Sequence, residues 1–280
     1  MSKHHRKNKR HQGGHKPSSR PNAGAPNLVK AIPAGRYDAP GDEPMAIDVP
    51  LVLQQPFRID RSLVPRLKQR EVNIKEAFTI RDPTGYVRAS LKELTPDGGM
   101  AIPYERMARS PEPMIDLTLA CAVLARQRMI FIVQKATELG ASRIVPLLTD
   151  HSVPPDGLEH ERANAWPAQV VRAARQCRRA SLPEIHLPTT LDAFLSSTIC
   201  TSADARIVLD DRSTPLAPAK SAPKKVVLFV GPEGGFSDNE RTKLTSQTSA
   251  WILGGRVLRA ETAVLVGMTA VHMTWGDFIG

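Results

Sequence analysis

The sequence predicts an α/β fold built on a parallel sheet, and two stretches near the end of the chain carry most of that prediction. The apolar run Val226–Val230 is short, β-branched and followed by the glycine loop Gly231–Phe236. Ser237 and Glu240 then form a capping box, so a helix starts directly after the loop. The stretch Leu253–Ala263 repeats this order of strand, glycine-bearing loop and helix start. Because open α/β sheets bind ligands at the carboxyl ends of their strands, both loops are candidate ligand-binding loops.

Two common classes of ligand-binding loop are excluded by the sequence of the glycine loops. No Gly-Lys-Ser/Thr follows the glycines, and their spacing differs from the dinucleotide fingerprint. Glycines let a backbone approach a ligand closely, so two such loops side by side predict a pocket for a small molecule that bears a purine. Taken alone, the glycines are more typical of ordinary strand-to-helix turns.

The positive charge of the chain is concentrated at its amino terminus. The net charge is +10, and the stretch Met1–Tyr37 holds nine Lys and Arg and no acidic residue, which leaves 29 basic and 28 acidic residues elsewhere. This stretch is rich in His, Gly, Pro and Ser and has little apolar surface to bury, so we predict a disordered basic tail over residues 1–43. It fits either an electrostatic arm for RNA phosphates or a solubilising tail.

Composition also excludes several classes of protein. No run approaches the roughly 20 apolar residues of a membrane helix, and no secretory signal is visible, so we expect a cytoplasmic protein with no membrane partner. Cys121, Cys177 and Cys200 are odd in number and far apart, which fits neither a disulfide framework nor a zinc site. The histidines outside the tail show no ligand spacing, and we predict no metal.

Residues 44–110 are predicted to form short strands. The turn Asp82–Gly85 separates two runs in which apolar and polar residues alternate, as in a hairpin with one buried face. The apolar positions of these runs are Val72, Ile74, Phe78, Ile80, Val87, Ala89 and Leu91. Pro65 lies in the stretch Arg61–Leu67, where it would disturb a helix interior.

A linker, Ser110–Pro113, precedes the first strand of the second domain, Ile115–Cys121. The helix that follows, from about Gln127 to Leu139, has apolar residues at helical spacing and ends at Gly140. Its other side carries Gln134, Lys135 and Glu138. From the residues alone, this side is a solvated face.

A second helix, around Trp166 to Ala180, carries a stripe of arginines. Arg172, Arg175 and Arg179 share one face with no acidic residue among them. Like-charge repulsion on such a face favours a polyanionic partner such as RNA, although runs of charge are more often solvated surfaces.

The chain ends in strands, a loop and an apolar helix. Strand Arg206–Leu209 is followed by the Pro- and Ala-rich loop Pro215–Pro223 and then by the two glycine loops. The last helix, Thr262 to about Met273, is apolar on most sides, so the domain or a second subunit should bury it.

The motifs, taken in their order along the chain, resemble those of a known family. Gly231–Phe236 and Leu253–Ala263, with the upstream stretches Gln134–Gly140, Ile144–Leu147 and Ala174–Arg179, resemble the bacterial RsmE-type ribosomal RNA uridine N3-methyltransferases, which belong to the SPOUT superfamily. The resemblance runs from about Asp116 to the end of the chain, and several motifs in the family's order are a specific signal.

The resemblance implies a fold and a domain division. It implies a SPOUT methyltransferase domain over residues 111–280 with a C-terminal trefoil knot, and a PUA-like β-barrel RNA-binding domain over residues 44–110. The family usually has a His-Leu ahead of a Val-Leu-Arg-Leu stretch, where this chain has Arg61–Leu67. A plain β-domain therefore remains an alternative for this region.

The resemblance also implies a function and its partners. The expected reaction is methylation of uridine N3 in 16S ribosomal RNA of the small subunit, with S-adenosyl-L-methionine as methyl donor, by a homodimer. The expected cofactor residues are Leu209, Gly231, Pro232, Gly234, Gly235, Leu253, Gly254, Val257 and Leu258, and the expected RNA contacts are Lys135, Arg172, Arg175 and Arg179. Glu138 is expected to line the catalytic face with Lys135. The alternative is a non-catalytic RNA-binding protein that retains the SPOUT fold.

The chemistry narrows the catalytic candidates. Uracil N3 carries a proton at neutral pH, so methylation calls for a cation near the uracil oxygens and a base near N3. Arg259 is the candidate cation because a guanidinium stays charged beside a ligand, and Glu233 is the candidate base, with water as the alternative. Glu261 is expected to stabilise the start of the last helix. An ion pair with Glu261 is the alternative role for Arg259.

Overall fold

The computed structural model describes residues 41–154, 165–210 and 222–278 of the 280-residue chain. Within these ranges the chain forms one antiparallel and one parallel β-sheet, and helices pack on both faces of the parallel sheet. The predicted α/β fold with a parallel sheet is therefore confirmed. Residues 1–40 of the predicted tail and most of the predicted loop Pro215–Pro223 lie outside the described residues. In the part of the chain that the structure describes, no helix is both long and apolar enough to cross a membrane.

The antiparallel sheet has the strand order β1-β4-β3-β2. Its strands are β1 (Phe57–Ile59), β2 (Ala77–Asp82), β3 (Gly85–Thr95) and β4 (Gly98–Arg106). The predicted turn is confirmed, because Asp82 pairs with Gly85 at the end of the β2–β3 ladder. The buried face is confirmed for Phe78, Ile80, Val87, Ala89 and Leu91.

One sequence-based expectation for this region is wrong in detail, and a second does not apply. The alternating run does not extend back to Ile74, which is 54% exposed, because Lys75 takes a left-handed φ of 74° and interrupts the extended backbone. A short helix, α1 (Val64–Gln69), does form despite Pro65. Proline is tolerated there because it stands in the first turn, where its missing N–H has no intrahelical partner.

The parallel sheet has the strand order β11-β9-β10-β5-β6-β7, and β8 also pairs with β6. Its strands are β5 (Asp116–Ala122), β6 (Ala141–Leu148), β7 (Glu184–Ile185), β8 (Thr189–Thr190), β9 (Ala205–Leu209), β10 (Lys225–Val230) and β11 (Ser249–Trp251). Side chains on a strand alternate between faces, and β10 divides its residues accordingly. Val226, Leu228 and Val230 join the core on one face, whereas Val227 and Phe229 join the core on the other.

The helices that cover the two faces differ in length. The first core holds α2 (Arg126–Glu138), α3 (Trp166–Gln176) and α7 (Ala260–Trp275), and the second holds the shorter α4 (Leu191–Leu195), α5 (Thr198–Thr201) and α6 (Asp238–Thr245). Helix α2 ends close to its predicted position, and Gly140 follows with a φ of 84°. Helix α3 ends four residues earlier than predicted, and Arg178 just beyond it has a φ of 65°.

The strand order determines where the glycine loops meet. Strands β11, β9 and β10 are neighbours and run parallel, so their carboxyl ends lie along one edge of the sheet. The glycine loop Gly231–Phe236 leaves β10 at this edge, and the second loop leaves β11. The helix after the first loop begins with the predicted capping box of Ser237 and Glu240.

Candidate active site

A cavity of about 330 Å³ opens where the carboxyl ends of β9, β10 and β11 meet. Its walls come from the end of β9, the two glycine loops and the first turn of α7. The lining residues are Leu209, Asp210, Val230, Gly231, Pro232, Glu233, Gly234, Gly235, Phe236, Arg241, Trp251, Leu253, Gly254, Arg256, Val257, Leu258, Ala260 and Ala263. Its volume falls in the range typical of small-molecule sites.

The structure brings together all nine residues that were predicted to bind the cofactor. Each of them lines this one cavity, although they come from three separate segments of the chain. The first loop turns tightly, since Gly235 has a φ of 71° and its N–H donates to the carbonyl oxygen of Pro232 at 2.9 Å. Val257 is 86% exposed, so an apolar side chain projects into solvent beside the cavity.

Other lining residues were missed by the sequence analysis. Asp210 follows β9, and its carboxylate accepts a hydrogen bond from Arg241 at 2.8 Å. Trp251 lies at the end of β11 and packs on Trp275 of the last helix with a centroid distance of 5.3 Å. The position of Asp210 directly after a strand was a usable signal, because residues there reach the ligand edge of such a sheet.

Residues just after β6 hold the glycine loop and the start of the next helix in place. The backbone N–H of Asp150 donates to Glu240 at 2.9 Å, and the Ser237 hydroxyl donates to the Asp150 carboxylate at 2.5 Å. His151 Nδ1 lies 3.0 Å from the carbonyl oxygen of Gly235. Contacts from the residues that follow β6 therefore fix both the loop and the start of the helix behind it.

Gly234 is constrained by this contact. In the structure, a Cβ at Gly234 would lie 3.2 Å from the Cβ and 3.3 Å from the Cγ of His151. A larger residue would thus first displace His151, and its effect on a ligand would be indirect.

The two catalytic candidates lie in different settings. Glu233 lines the cavity, and its carboxylate forms an ion pair with Arg128 of α2. Arg259 is the N-cap residue of α7, exposed and placed between the lining residues Leu258 and Ala260. Arg259 forms no ion pair with any residue that the structure describes, so its alternative pairing with Glu261 is not seen. Instead, Glu261 Oε1 lies 3.9 Å from Arg128 Nε.

The predicted arginine stripe on α3 is wrong in one important respect, because two of its guanidiniums have carboxylate partners. Arg179 lies beyond the helix end, is 8% exposed and pairs with Glu112 at 3.2 Å. Arg175 pairs with Glu76 at 2.7 Å. Only Arg172 is left without a carboxylate among the described residues, and it donates to Gln169 at 3.0 Å.

The remaining candidates are also accounted for. Arg172 and Arg175 line an open groove of about 420 Å³ between α3 and the antiparallel sheet, together with Arg88 and Glu76. Lys135 pairs with Glu138 one helical turn away at 2.7 Å, and neither residue lines the cavity at the glycine loops. The structure therefore separates Lys135 and Glu138 from that site.

None of the three cysteines lines the cavity. The three cysteines are free, and burial raises the pKa of the Cys121 thiol to about 12. No cluster of three or more potential metal-ligating side chains occurs within the described ranges.

A cavity framed by backbone loops at the carboxyl edge of a parallel sheet defines an α/β protein that binds a small ligand. Comparison with known proteins identifies the family more closely. Residues 110–272 match the family model described as an RNA methyltransferase domain. The ribosomal RNA small subunit methyltransferase E of Synechocystis sp. is 31% identical over 204 residues, which span 70% of this chain and 66% of that protein. The same enzyme of Buchnera aphidicola subsp. Schizaphis graminum is 27% identical over 235 residues, which span 81% of this chain and 94% of that protein.

A solved structure agrees with these relatives. The crystal structure of a ribosomal RNA small subunit methyltransferase E from Neisseria gonorrhoeae, bound to S-adenosyl methionine, superimposes with a TM-score of 0.60 at 25% identity. The match covers 84% of this chain and 99% of that one. The chain belongs to the RNA methyltransferase family, and the predicted resemblance to its RsmE type is confirmed.

Proposed function

We propose that this protein is an S-adenosyl-L-methionine-dependent methyltransferase that methylates N3 of a specific uridine in 16S ribosomal RNA of the small subunit. Family membership supports a methyltransferase acting on RNA. The names of the relatives support ribosomal RNA of the small subunit as the substrate. The observation that carries the proposal is the single cavity that all nine predicted cofactor residues line.

The lining residues suit the cofactor chemically. Leu209, Leu253 and Leu258 offer apolar surfaces for a purine, and the glycines expose backbone groups that can read its edge. Asp210 supplies a carboxylate for hydroxyl or amino groups. When bound, the cofactor supplies an activated methyl group.

The protein's own residues then have two tasks at the uracil ring. Arg259 would stabilise the anionic ring by placing its guanidinium near the uracil oxygens, and its exposed position beside the cavity leaves it accessible to RNA. Glu233 would accept the N3 proton. Because Arg128 occupies the Glu233 carboxylate in this structure, that role requires the ion pair to open.

RNA would lie across the groove between α3 and the antiparallel sheet. Arg172 supports this placement, because no carboxylate neutralises it among the described residues. Arg88 also lines the groove, whereas Arg175 is paired there with Glu76. Lys135 remains a candidate at the periphery. Arg179 is unsuited to this role because it is buried against Glu112.

We also propose a domain architecture, an oligomeric state and a location. The antiparallel sheet, with its own apolar core, would form the PUA-like barrel domain of residues 44–110, and residues 111–280 would form the methyltransferase domain with a C-terminal trefoil knot. A homodimer is supported by Val266 and Met273, which are 40% and 52% exposed and lie two turns apart on α7. We place the enzyme in the cytoplasm, with its ribosomal substrate.

Transfer of labelled methyl groups tests this function. The full-length protein would be incubated with labelled S-adenosylmethionine and small ribosomal subunits that lack the modification, and the RNA nucleosides would be separated by mass spectrometry. The proposal expects label in 3-methyluridine at one position. Cofactor binding without any transfer would instead favour the non-catalytic RNA-binding protein.

A further inference from the structure

Arg128 connects the two walls of the cavity, although it lines neither of them. It lies in the first turn of α2 and pairs with Glu233 of the glycine loop. Its Nε lies 3.9 Å from the carboxylate of Glu261, in the first turn of α7. One guanidinium thus reaches a carboxylate on each side of the cavity.

The surroundings of Glu261 explain why a cation is needed here. Its side chain is 17% exposed, and Oε2 is buried without a hydrogen-bond partner among the described residues. A carboxylate withdrawn from water requires a compensating charge. The amino end of α7 provides a partial positive charge, and Arg128 provides a full one.

Helix stability does not explain the position of Arg128. A cation in the first turn opposes the macrodipole, and α2 has no acidic residue in that turn. The pair with Glu233 is also partly exposed, at 38% and 42%, and such pairs add little to global stability. The contacts of Arg128 therefore point to a local role at the cavity.

We propose that Arg128 is a positioning residue that fixes the glycine loop Gly231–Phe236 relative to the start of α7 and so sets the shape of the cofactor cavity. This inference rests on the proposed function for the identity of the ligand. Its structural part, the connection between the two walls, is independent of any ligand. By holding the Glu233 carboxylate, Arg128 also determines the position from which Glu233 would meet the uracil.

The test compares four variants of the full-length protein with the wild type: Arg128→Ala, Arg128→Lys, Glu233→Gln and the double variant Arg128→Ala/Glu233→Gln. Arg143→Ala is the matched control, because Arg143 forms an ion pair of similar exposure with Asp116 at the opposite edge of the same sheet. The readouts are S-adenosylmethionine affinity by calorimetry, amide hydrogen exchange of residues 231–236 and 260–263 without cofactor, and the melting temperature.

We expect Arg128→Ala to weaken cofactor binding roughly tenfold and to speed exchange in both segments. The melting temperature should fall only modestly, because the amino end of α7 still compensates the Glu261 carboxylate. Arg128→Lys should restore part of the affinity. The double variant should bind about as weakly as Arg128→Ala, because residues that act through one contact are not additive.

Unchanged affinity and exchange in Arg128→Ala would overturn the inference, as would effects in Arg143→Ala of the same size. The inference would also fail if the loss of affinity in Arg128→Ala were matched by an equal fall in melting temperature and Arg128→Lys did not restore binding. If the wild type itself fails to bind S-adenosylmethionine, the proposed function fails, whereas the exchange data still decide whether Arg128 connects the two walls.

Discussion

Arg179 donates to Glu112 through both Nε and Nη2, at 3.3 and 3.2 Å, and the pair closes the junction between the linker and the segment that follows α3. The Glu112 carboxylate also accepts the backbone N–H groups of Ala180 and Ser181 at 2.6 and 2.9 Å. Arg179 in turn donates to the carbonyl oxygen of Ala141 at 2.7 Å. A residue that the sequence indicates as an RNA contact is therefore part of the internal framework.

Removing Glu112 should strongly destabilise the fold. Glu112→Ala leaves Arg179 buried and unpaired, and such a loss typically costs about 3–5 kcal/mol. Glu105→Ala is the matched control, because its partner Arg178 is 53% exposed and such a pair is worth about 0–1 kcal/mol. Urea denaturation would measure the free energy of unfolding of both variants. Equal losses of stability in Glu112→Ala and Glu105→Ala would contradict the structural role of Arg179.

The basic groups at the RNA groove should differ in importance. Arg172→Ala should weaken binding to small-subunit RNA and reduce the salt dependence by about one charge, since Arg172 is free to meet a phosphate.

Deleting residues 1–36, with their nine Lys and Arg, should flatten the salt dependence of RNA binding further. Binding measured over a range of salt concentrations tests both, with Arg143→Ala as control. An unchanged slope would assign the deleted charges no role.

Arg259 should matter for turnover more than for cofactor binding. Arg259→Ala removes the proposed stabilisation of the anionic uracil, and loss of one such group commonly costs on the order of 10²-fold in rate. Calorimetry should show an almost unchanged affinity for S-adenosylmethionine, because the side chain does not line the cavity. Near-normal turnover of a folded variant would discard the electrostatic role.

His272 should make stability depend on pH. Burial lowers the pKa of this imidazole below its usual 6.5, although Asp277 lies 3.2 Å from Nδ1 and acts in the opposite direction. Below about pH 6.5 the imidazole takes up a proton more readily in the unfolded chain than in the folded one. The contribution of neutral His272 to the free energy of unfolding is therefore complete above about pH 6.5 and is lost as pH falls below it. His272→Gln should therefore lose less melting temperature than the wild type between about pH 7.5 and 5.5. Parallel curves for the two proteins would contradict this assignment.

The sequence was sufficient wherever neighbouring residues determine the local structure. The strand Val226–Val230, the capping box of Ser237 and Glu240 and the hairpin turn after Asp82 depend on residues a few positions apart. The nine residues that the motifs indicate for cofactor binding also line one cavity, and their role in binding stays a prediction. Parallel strands explain this success, since their carboxyl ends meet at one edge whatever the intervening chain does.

The predictions failed where a partner is distant in the chain. The partners of Arg179 and Arg175, Glu112 and Glu76, lie 67 and 99 positions earlier, so the helical pattern alone made the stripe look uncompensated. Arg128 was missed for the same reason, because Glu233 and Glu261 lie far downstream. The contact between His151 and Gly235 likewise joins two loops that only the folded sheet brings together.

The central claim is that the cavity at the glycine loops holds S-adenosylmethionine, and calorimetry with a cavity-filling variant tests it most directly. Ala263→Phe places a ring on a lining position of α7, whereas the control Thr274→Phe places the same ring at an exposed position three turns along that helix. The wild type and the control should each bind one cofactor per chain, and Ala263→Phe should bind none while keeping its melting temperature. No binding by the wild type, or unchanged binding by Ala263→Phe, would contradict the account.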